Sequence, residues 1–200
     1  MTPRRDSGPL TAEAIIAATE EVLRRYGPAK ATVVDVARAL NVSHGSVYRH
    51  FASKTELREA VARRWLARVC AGLEDIVESD APAPARLRAW LGELFAIKRR
   101  KVLDDPELFA TYSALVDETS TVVRDHRAHL AEQVERIITD GVAAGDFDTT
   151  DPNRTAHAVL TATAHFHDPA HAPSWSDPEI DEDFKAVCDL VLAGLKSQVG

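Results

Sequence analysis

The sequence predicts an all-α protein in which an N-terminal three-helix unit containing a helix-turn-helix precedes a larger helical remainder. Three observations carry this expectation. Apolar residues recur at helical rather than alternating spacing, as in Ile15, Thr19, Val22 and Tyr26, and again in Val33, Val36, Ala37 and Leu40. Helix-start signals recur with them: Thr11, a Thr32-x-x-Asp35 box, a Ser53-x-x-Glu56 box, and Asp-Pro pairs at 105–106, 151–152 and 177–178, where proline's missing N–H costs nothing. No stretch alternates as a half-buried strand would. The spacing predicts helices near 11–26, 32–39, 43–50, 53–78, 84–103, 106–116, 119–144, 151–167 and 179–197, with Gly145 as a stop and DPAHAPSWSDP (168–178) as the one loop-rich segment.

Composition sets the class. With 45% hydrophobic and 28% charged residues the chain reads as an ordinary globular protein. No run of about 18 apolar residues is present, and MTPRRDSGPL lacks the apolar segment of a secretory signal, so the expected location is cytoplasmic and no membrane partner is expected. Cys70 and Cys188 have no CxxC spacing and read as reduced core thiols. The net charge of −7 hides an asymmetry. Residues 1–69 carry twelve Lys or Arg against seven acids, whereas 70–200 carry twelve against twenty-four. From Val36 to Thr55 there is no acid at all, while Arg38, Arg49, Lys54, His44 and His50 are present. That is a local positive face on an acidic protein.

The same stretch holds the helix-turn-helix. Asn41 tolerates the left-handed backbone a short turn between helices needs, and Val36, Leu40, Val42, Val47 and Phe51 supply the internal faces. In NVSHGSVYRHF (41–51), Ser43 reads first as an N-cap and additionally as a phosphate donor. His44 is inert surface or meets base edges in the first turn of a reader helix. Gly45 costs a helix roughly 1 kcal/mol against alanine, either as a plain weak spot or because a sugar-phosphate strand approaches closely. The Tyr48 hydroxyl is left outside the core for a phosphate. Lys54 opens the next helix, where the dipole disfavours a cation but favours an anion held by both the ammonium and the free N–H groups.

Thr32-Val-Val-Asp-Val-Ala, then Asn41 to Phe51, then Ser53-Lys-Thr-Glu-Leu resembles the TetR family of bacterial transcriptional regulators, over roughly residues 11–60. Asn41 stands where many members have glycine, and Gly27-Pro28-Ala29-Lys30 replaces the usual connection between the first two helices. The resemblance implies a DNA-binding domain at 1–52 and an effector-binding and dimerisation domain at 53–200. Thr32, Ser43, Gly45, Tyr48, His50 and Lys54 would contact phosphates, and His44, Gly45, Ser46 and Arg49 would read bases. It implies double-stranded operator DNA with inverted half-sites as partner, a homodimer, and a small-molecule effector that weakens DNA binding, most often relieving repression. Arg4 and Arg5 read as a basic arm or as solvated chain end.

For the remainder, the resemblance places the dimer interface on the last two long helices. Small and apolar residues there agree: Ala158, Val159 and Ala162 on one, Phe184, Val187, Val191 and Leu195 on the other. It also places an effector pocket between 53 and 144, for which Trp65, Trp90, Phe95, Phe109, Tyr112 and His126 are candidates, each equally readable as core. Lys98-Arg-Arg-Lys101 reads as a solvated face near a helix end. His165, His167 and His171 with Asp168 offer metal-ligand chemistry, but they straddle a helix end and a proline, so no metal or other cofactor is expected. No HExxH, phosphate-cradling glycine loop or GxSxG elbow is present, and no enzymatic activity is expected.

Overall fold

The computed structural model describes residues 9–117 and 121–196, apart from the side chains at 69, 112 and 115–117. Arg4 and Arg5 lie outside the described residues. Among the described residues are nine α-helices: α1 (Ala12–Lys30), α2 (Val33–Ala39), α3 (His44–Tyr48), α4 (Lys54–Val77), α5 (Ala83–Asp104), α6 (Pro106–Asp117), α7 (Thr121–Ala144), α8 (Pro152–Ala162) and α9 (Ile180–Leu195). The caps are where the local signals put them. Thr11 Oγ1 accepts from Ala14 N at 3.1 Å, Ser53 Oγ from Glu56 N at 3.0 Å and Asp151 Oδ1 from Arg154 N at 2.9 Å. Glu56 reaches back not to the Ser53 N–H but to that of Ala52, at 2.6 Å.

Four boundaries differ from expectation, each for a physical reason. The first helix does not end at residue 26: the chain kinks at Gly27 (φ 72°, ψ 163°) and restarts on Pro28, running to Lys30. The third is shorter, His44–Tyr48. The helix expected over 151–167 stops at Ala162 and continues as a 3₁₀ turn, Ala164–Phe166, where the Thr163 hydroxyl donates back to the Val159 carbonyl at 2.9 Å. The expected loop contains a second 3₁₀ segment, Pro169–Ser176, begun by an Asp168 cap and closed by Trp175 Nε1 donating to the His165 carbonyl at 2.8 Å. Among the described residues, one isolated antiparallel bridge pairs Phe147 with Lys196.

The backbone gathers into two compact units, as far as they are described: Met1–Trp65 with Asp105–Ser120, and Leu66–Asp104 with Thr121–Gly200. Compactness therefore does not divide the chain at residues 52 and 53. In the first unit α6 lies against α1, and α2 packs on α1 and α3. Ile15, Val22, Val36, Val47, Phe51, Leu57 and Trp65 are buried there, with Trp65 edge-on to Phe109 at 6.4 Å. Tyr26 leaves the expected stripe and lies exposed beneath the Arg25 guanidinium. Glu20 is buried within reach of two cations, 3.7 Å from Arg24 and 3.6 Å from Arg64.

In the second unit α5 packs on α7 and α9, and α8 on α7 and α9. Leu73, Leu87, Trp90, Leu94, Val134, Ile137 and Ile138 fill its core. Buried polar groups are tied in: Trp90 Nε1 donates to Gln133 Oε1 at 2.9 Å, and Gln133 Nε2 to Glu74 Oε2 at 2.7 Å. Lys98 corrects the solvated-face reading of Lys98–Lys101. It is 1% exposed, with Nζ 3.3 Å from His126 Nε2. Among the described glycines Gly141 has the tightest surroundings: a Cβ there would clash with the Phe147 ring and sit 2.9 Å from Ala83 Cβ. Gly141→Ala is expected to cost about 1–2 kcal/mol, an overpacking penalty reduced by alanine's helix propensity, read as a lower denaturation midpoint at unchanged slope.

Candidate nucleic-acid interface

The turn between α2 and α3 is a Schellman closure. Asn41 takes φ 55°, Val42 N donates to the Ala37 carbonyl at 3.0 Å and Asn41 N to that of Arg38 at 3.1 Å. Asn41 thus does at this position what glycine otherwise does. With α2 packed on α3 across this turn, Val36, Ala37 and Val47 are buried, while His44, Gly45, Tyr48, Arg49 and His50 are exposed.

The polar residues of this face differ in what they have left to offer. Thr32 donates both its hydroxyl, at 2.6 Å, and its N–H, at 3.2 Å, to Asp35 Oδ2. Thr32 is thus a cap whose hydroxyl and N–H are both engaged by Asp35. That hydroxyl, and to a smaller extent Arg38, hold the Asp35 carboxyl below its ordinary range. Arg38 is itself engaged, 3.1 Å from Asp35. On α3, Ser43 Oγ accepts from Ser46 N at 3.2 Å, the two serine oxygens lie 2.9 Å apart, and Arg49 Nη2 donates to Ser46 Oγ at 3.1 Å. The His44 and Tyr48 rings meet edge to face at 6.4 Å. Lys54 is exposed at the first position of α4. Of the acid-free interval from Val36 to Thr55, His44, Gly45, Tyr48, Arg49, His50 and Lys54 are thus exposed, on α3, just after it and at the start of α4, within a single unit.

The other candidate residues separate. Trp65 and Phe109 form their ring pair in the first unit, whereas Trp90, Phe95 and His126 belong to the core of the second; the Tyr112 side chain lies outside the described residues. A cleft of about 870 Å³ in the second unit is lined by Val77, Ser79, Arg86, Glu132, Arg136 and Asp140 among others, and by none of the six. Phe95 instead packs with Phe166 and Phe184 at 5.5 and 5.0 Å. Burial drives the His126 imidazole down to about 2, with the Lys98 charge adding to it. Burial and the same charge take His167 to about 4. Val159 and Leu195, expected at the interface, are 4% and 7% exposed because their helix faces point into their own unit. Ala158 and Ala162 are exposed, and Phe184, Val187 and Val191 are half-buried. Leu190, missed from the sequence, is 74% exposed. The signal was there, since it falls three residues after Val187 and four before Gly194. His165 and His171 lie with rings 4.9 Å apart, but His167 Nε2 turns to the Leu160 carbonyl at 3.1 Å. Among the described residues no three His, Cys, Asp or Glu are grouped to hold a metal ion.

Comparison with known proteins agrees with this architecture. Residues 15–61 match the family described as bacterial regulatory proteins, tetR family, and residues 83–188 the tetracyclin repressor-like C-terminal domain. An HTH-type transcriptional repressor of Mycobacterium tuberculosis and an HTH-type transcriptional regulator of Mycobacterium bovis are each 36% identical over 78 residues, a match that spans 39% of this chain and 39% of theirs. A protein of unknown function from Rhodococcus sp. RHA1 shares the fold at TM-score 0.73 and 24% identity, covering 97% of this chain and all of that one. The transcriptional regulator FadR from Bacillus subtilis, solved in complex with stearoyl-CoA, shares it at TM-score 0.64 and 14% identity, over 92% of this chain and all of FadR. With its C-terminal match alone covering more than half of the sequence, the chain belongs to the TetR family of bacterial regulatory proteins.

Proposed function

We propose that the protein is a sequence-specific DNA-binding transcriptional repressor, a cytoplasmic homodimer released from an inverted-repeat operator by a small-molecule effector, with no enzymatic activity of its own. The observation that carries this is the exposed face of α3 and the start of α4. From Val36 to Thr55 it carries no acid, the first being Glu56, which is engaged at the α4 cap; it is rich in His, Arg, Lys and hydroxyls and held by a closed turn. DNA reading resides in 1–52 with Lys54 beside it, and effector binding and dimerisation in 53–200, a division of function rather than of compactness. Ser43, Tyr48, His50, Lys54 and the Gly45 backbone contact phosphates, which supply most of the affinity; His44 and Arg49 face bases. That the same fold in FadR holds stearoyl-CoA supports an effector in the helical remainder. Footprinting and gel shift on the intergenic DNA beside its own gene test the reading. Absence of any shift at low salt with folded dimer overturns it.

Two variants separate its parts. Lys54→Ala is expected to weaken binding by a similar factor on every DNA sequence and to reduce the slope of log K against log salt by about 1, measured by titration over a salt series. For the dimer, the proposed interface draws on exposed Leu190, which follows half-buried Val187 by three residues and precedes Val191 on α9, and on exposed Ala158 and Ala162 on α8. Leu190→Asp would desolvate a carboxylate in that interface and is expected to raise the dimer dissociation constant at least tenfold, about 1.4 kcal/mol, in sedimentation at micromolar concentration. An unchanged dimer would place the interface elsewhere.

A further inference from the structure

The polar residues of α3 are a linked set rather than independent contacts. Ser43 caps Ser46 N, the Ser43 and Ser46 oxygens are 2.9 Å apart, and Arg49 Nη2 donates to Ser46 Oγ at 3.1 Å. Ser46 Oγ is half-buried and already has two neighbours from its own helix, one serine oxygen and one guanidinium nitrogen. Arg49 is the opposite case. A guanidinium carries five N–H donors, and one hydrogen bond to Ser46 leaves the rest of its fork turned to solvent. Arg38 is held by Asp35, but no carboxylate among the described residues pairs with Arg49.

Direction follows from helix geometry. Side chains on a helix lean toward its N-terminus, so a residue at the C-terminal end of α3 lies back over position i−3, which for Arg49 is Ser46. The tether therefore carries the guanidinium from the end of α3 toward His44 and Gly45, the half of a reader helix that meets base edges. A cation aimed at the phosphate backbone gains little from such a tether, because a swinging chain finds a phosphate oxygen in many positions. A flat fork held at one nitrogen matches two acceptors at fixed spacing, and in the major groove that pair is guanine O6 and N7.

We propose that Arg49 reads one guanine in each operator half-site and that Ser46 is a positioning residue that aims Arg49, rather than a reader of bases itself. The assignment rests on the DNA-binding reading above and specifies the base class that reading leaves open.

The test uses the full chain. Wild-type protein selects its operator from random duplexes, and each guanine of the winning sequence is then replaced in turn by 7-deazaguanine, which lacks N7. For the wild type, one guanine per half-site is expected to lose about tenfold in affinity on replacement, the lower end of the range for a bidentate contact. Arg49→Ala should abolish that penalty. Ser46→Ala should reduce it at the same guanine and at no other position, Ser46→Thr should restore it, and Ser46→Ala should add nothing in the Arg49→Ala background. Circular dichroism melts of all variants serve as the folding check, with the Ser46→Thr rescue separating aim from stability. Should no guanine depend on N7, or should Ser46→Ala relax a different base or add fully to Arg49→Ala, the assignment is overturned. Failure of the wild type to enrich any sequence is a different result, which overturns the DNA-binding reading and this assignment with it.

Discussion

Lowering the pH from 7 to 5 is expected to remove about 3 kcal/mol of folding stability, well before the carboxylates protonate. The cause lies in the core of the second unit, where His126 is buried beside Lys98 Nζ at 3.3 Å and its pKa falls to about 2. His167, less deeply placed, falls to about 4, the donation to the Leu160 carbonyl and the nearby Asp168 opposing part of the drop. In the unfolded chain both return to about 6.5, so below that value the unfolded state binds protons that the folded state refuses. Stability is thus fully present above pH 6.5 and lost as pH falls toward the folded values. Each such group contributes about 1.4 kcal/mol per pH unit inside that window, which gives about 2 kcal/mol for His126 by pH 5 and about 1 for His167 after allowance for its partial exposure. Urea denaturation at pH 7, 6 and 5 measures it. A variant with His126→Gln and His167→Gln should be less stable at pH 7 but should lose less stability over this range than the wild type, any remaining slope coming from groups such as Lys98, whose pKa burial lowers. A wild-type profile no steeper than that of the variant would mean the imidazoles accept protons in the folded state.

Such a slope was not legible in the sequence. Lys98 heads a run of four basic residues that reads as a wet surface, and only the approach of α7 makes its position interior. Gly141 is hidden for the same reason: its need to be glycine comes from Phe147 and Ala83, the latter on another helix. What was legible is what depends on a few neighbouring residues. Thr11, Thr32, Ser43, Ser53 and Asp151 cap within three positions, and Asn41 takes its left-handed conformation two residues past the end of its helix. The kink at Gly27 lies between these cases. Glycine before proline marks the break locally, yet Glu107, 2.9 Å from where a Cβ would lie, comes from α6. The exposed face of α3 was readable because a reader helix contributes its residues consecutively. The effector candidates were not, because a pocket draws single residues from distant elements, and helical periodicity alone cannot separate a lining aromatic from a core one.

Gly45→Ala is expected to stabilise the folded protein and to weaken DNA binding about a hundredfold, near 2.7 kcal/mol. The two signs have separate origins. A Cβ at Gly45 would meet only Ser43 Oγ, at 3.8 Å, an ordinary contact, and the positive φ values among the described glycines belong to Gly27 and Gly145. Nothing within the chain therefore requires glycine there, and alanine in a helix is favoured by up to about 1 kcal/mol. Any requirement for glycine at this position therefore lies outside the chain. At the exposed first turn of α3 the outside surface that would approach a bare backbone is the sugar-phosphate strand. An added methyl there forces the helix back from the groove, weakening the close-range contacts of His44, Ser43 and Arg49 together, so the loss should exceed that of a single phosphate contact. Thermal melts and fluorescence-anisotropy titration on the selected operator read the two effects independently. A melting temperature that fell would make Gly45 a folding residue. A rise with unchanged affinity would mean that DNA never comes within a methyl group of α3, and the docking of this helix would have to be redrawn.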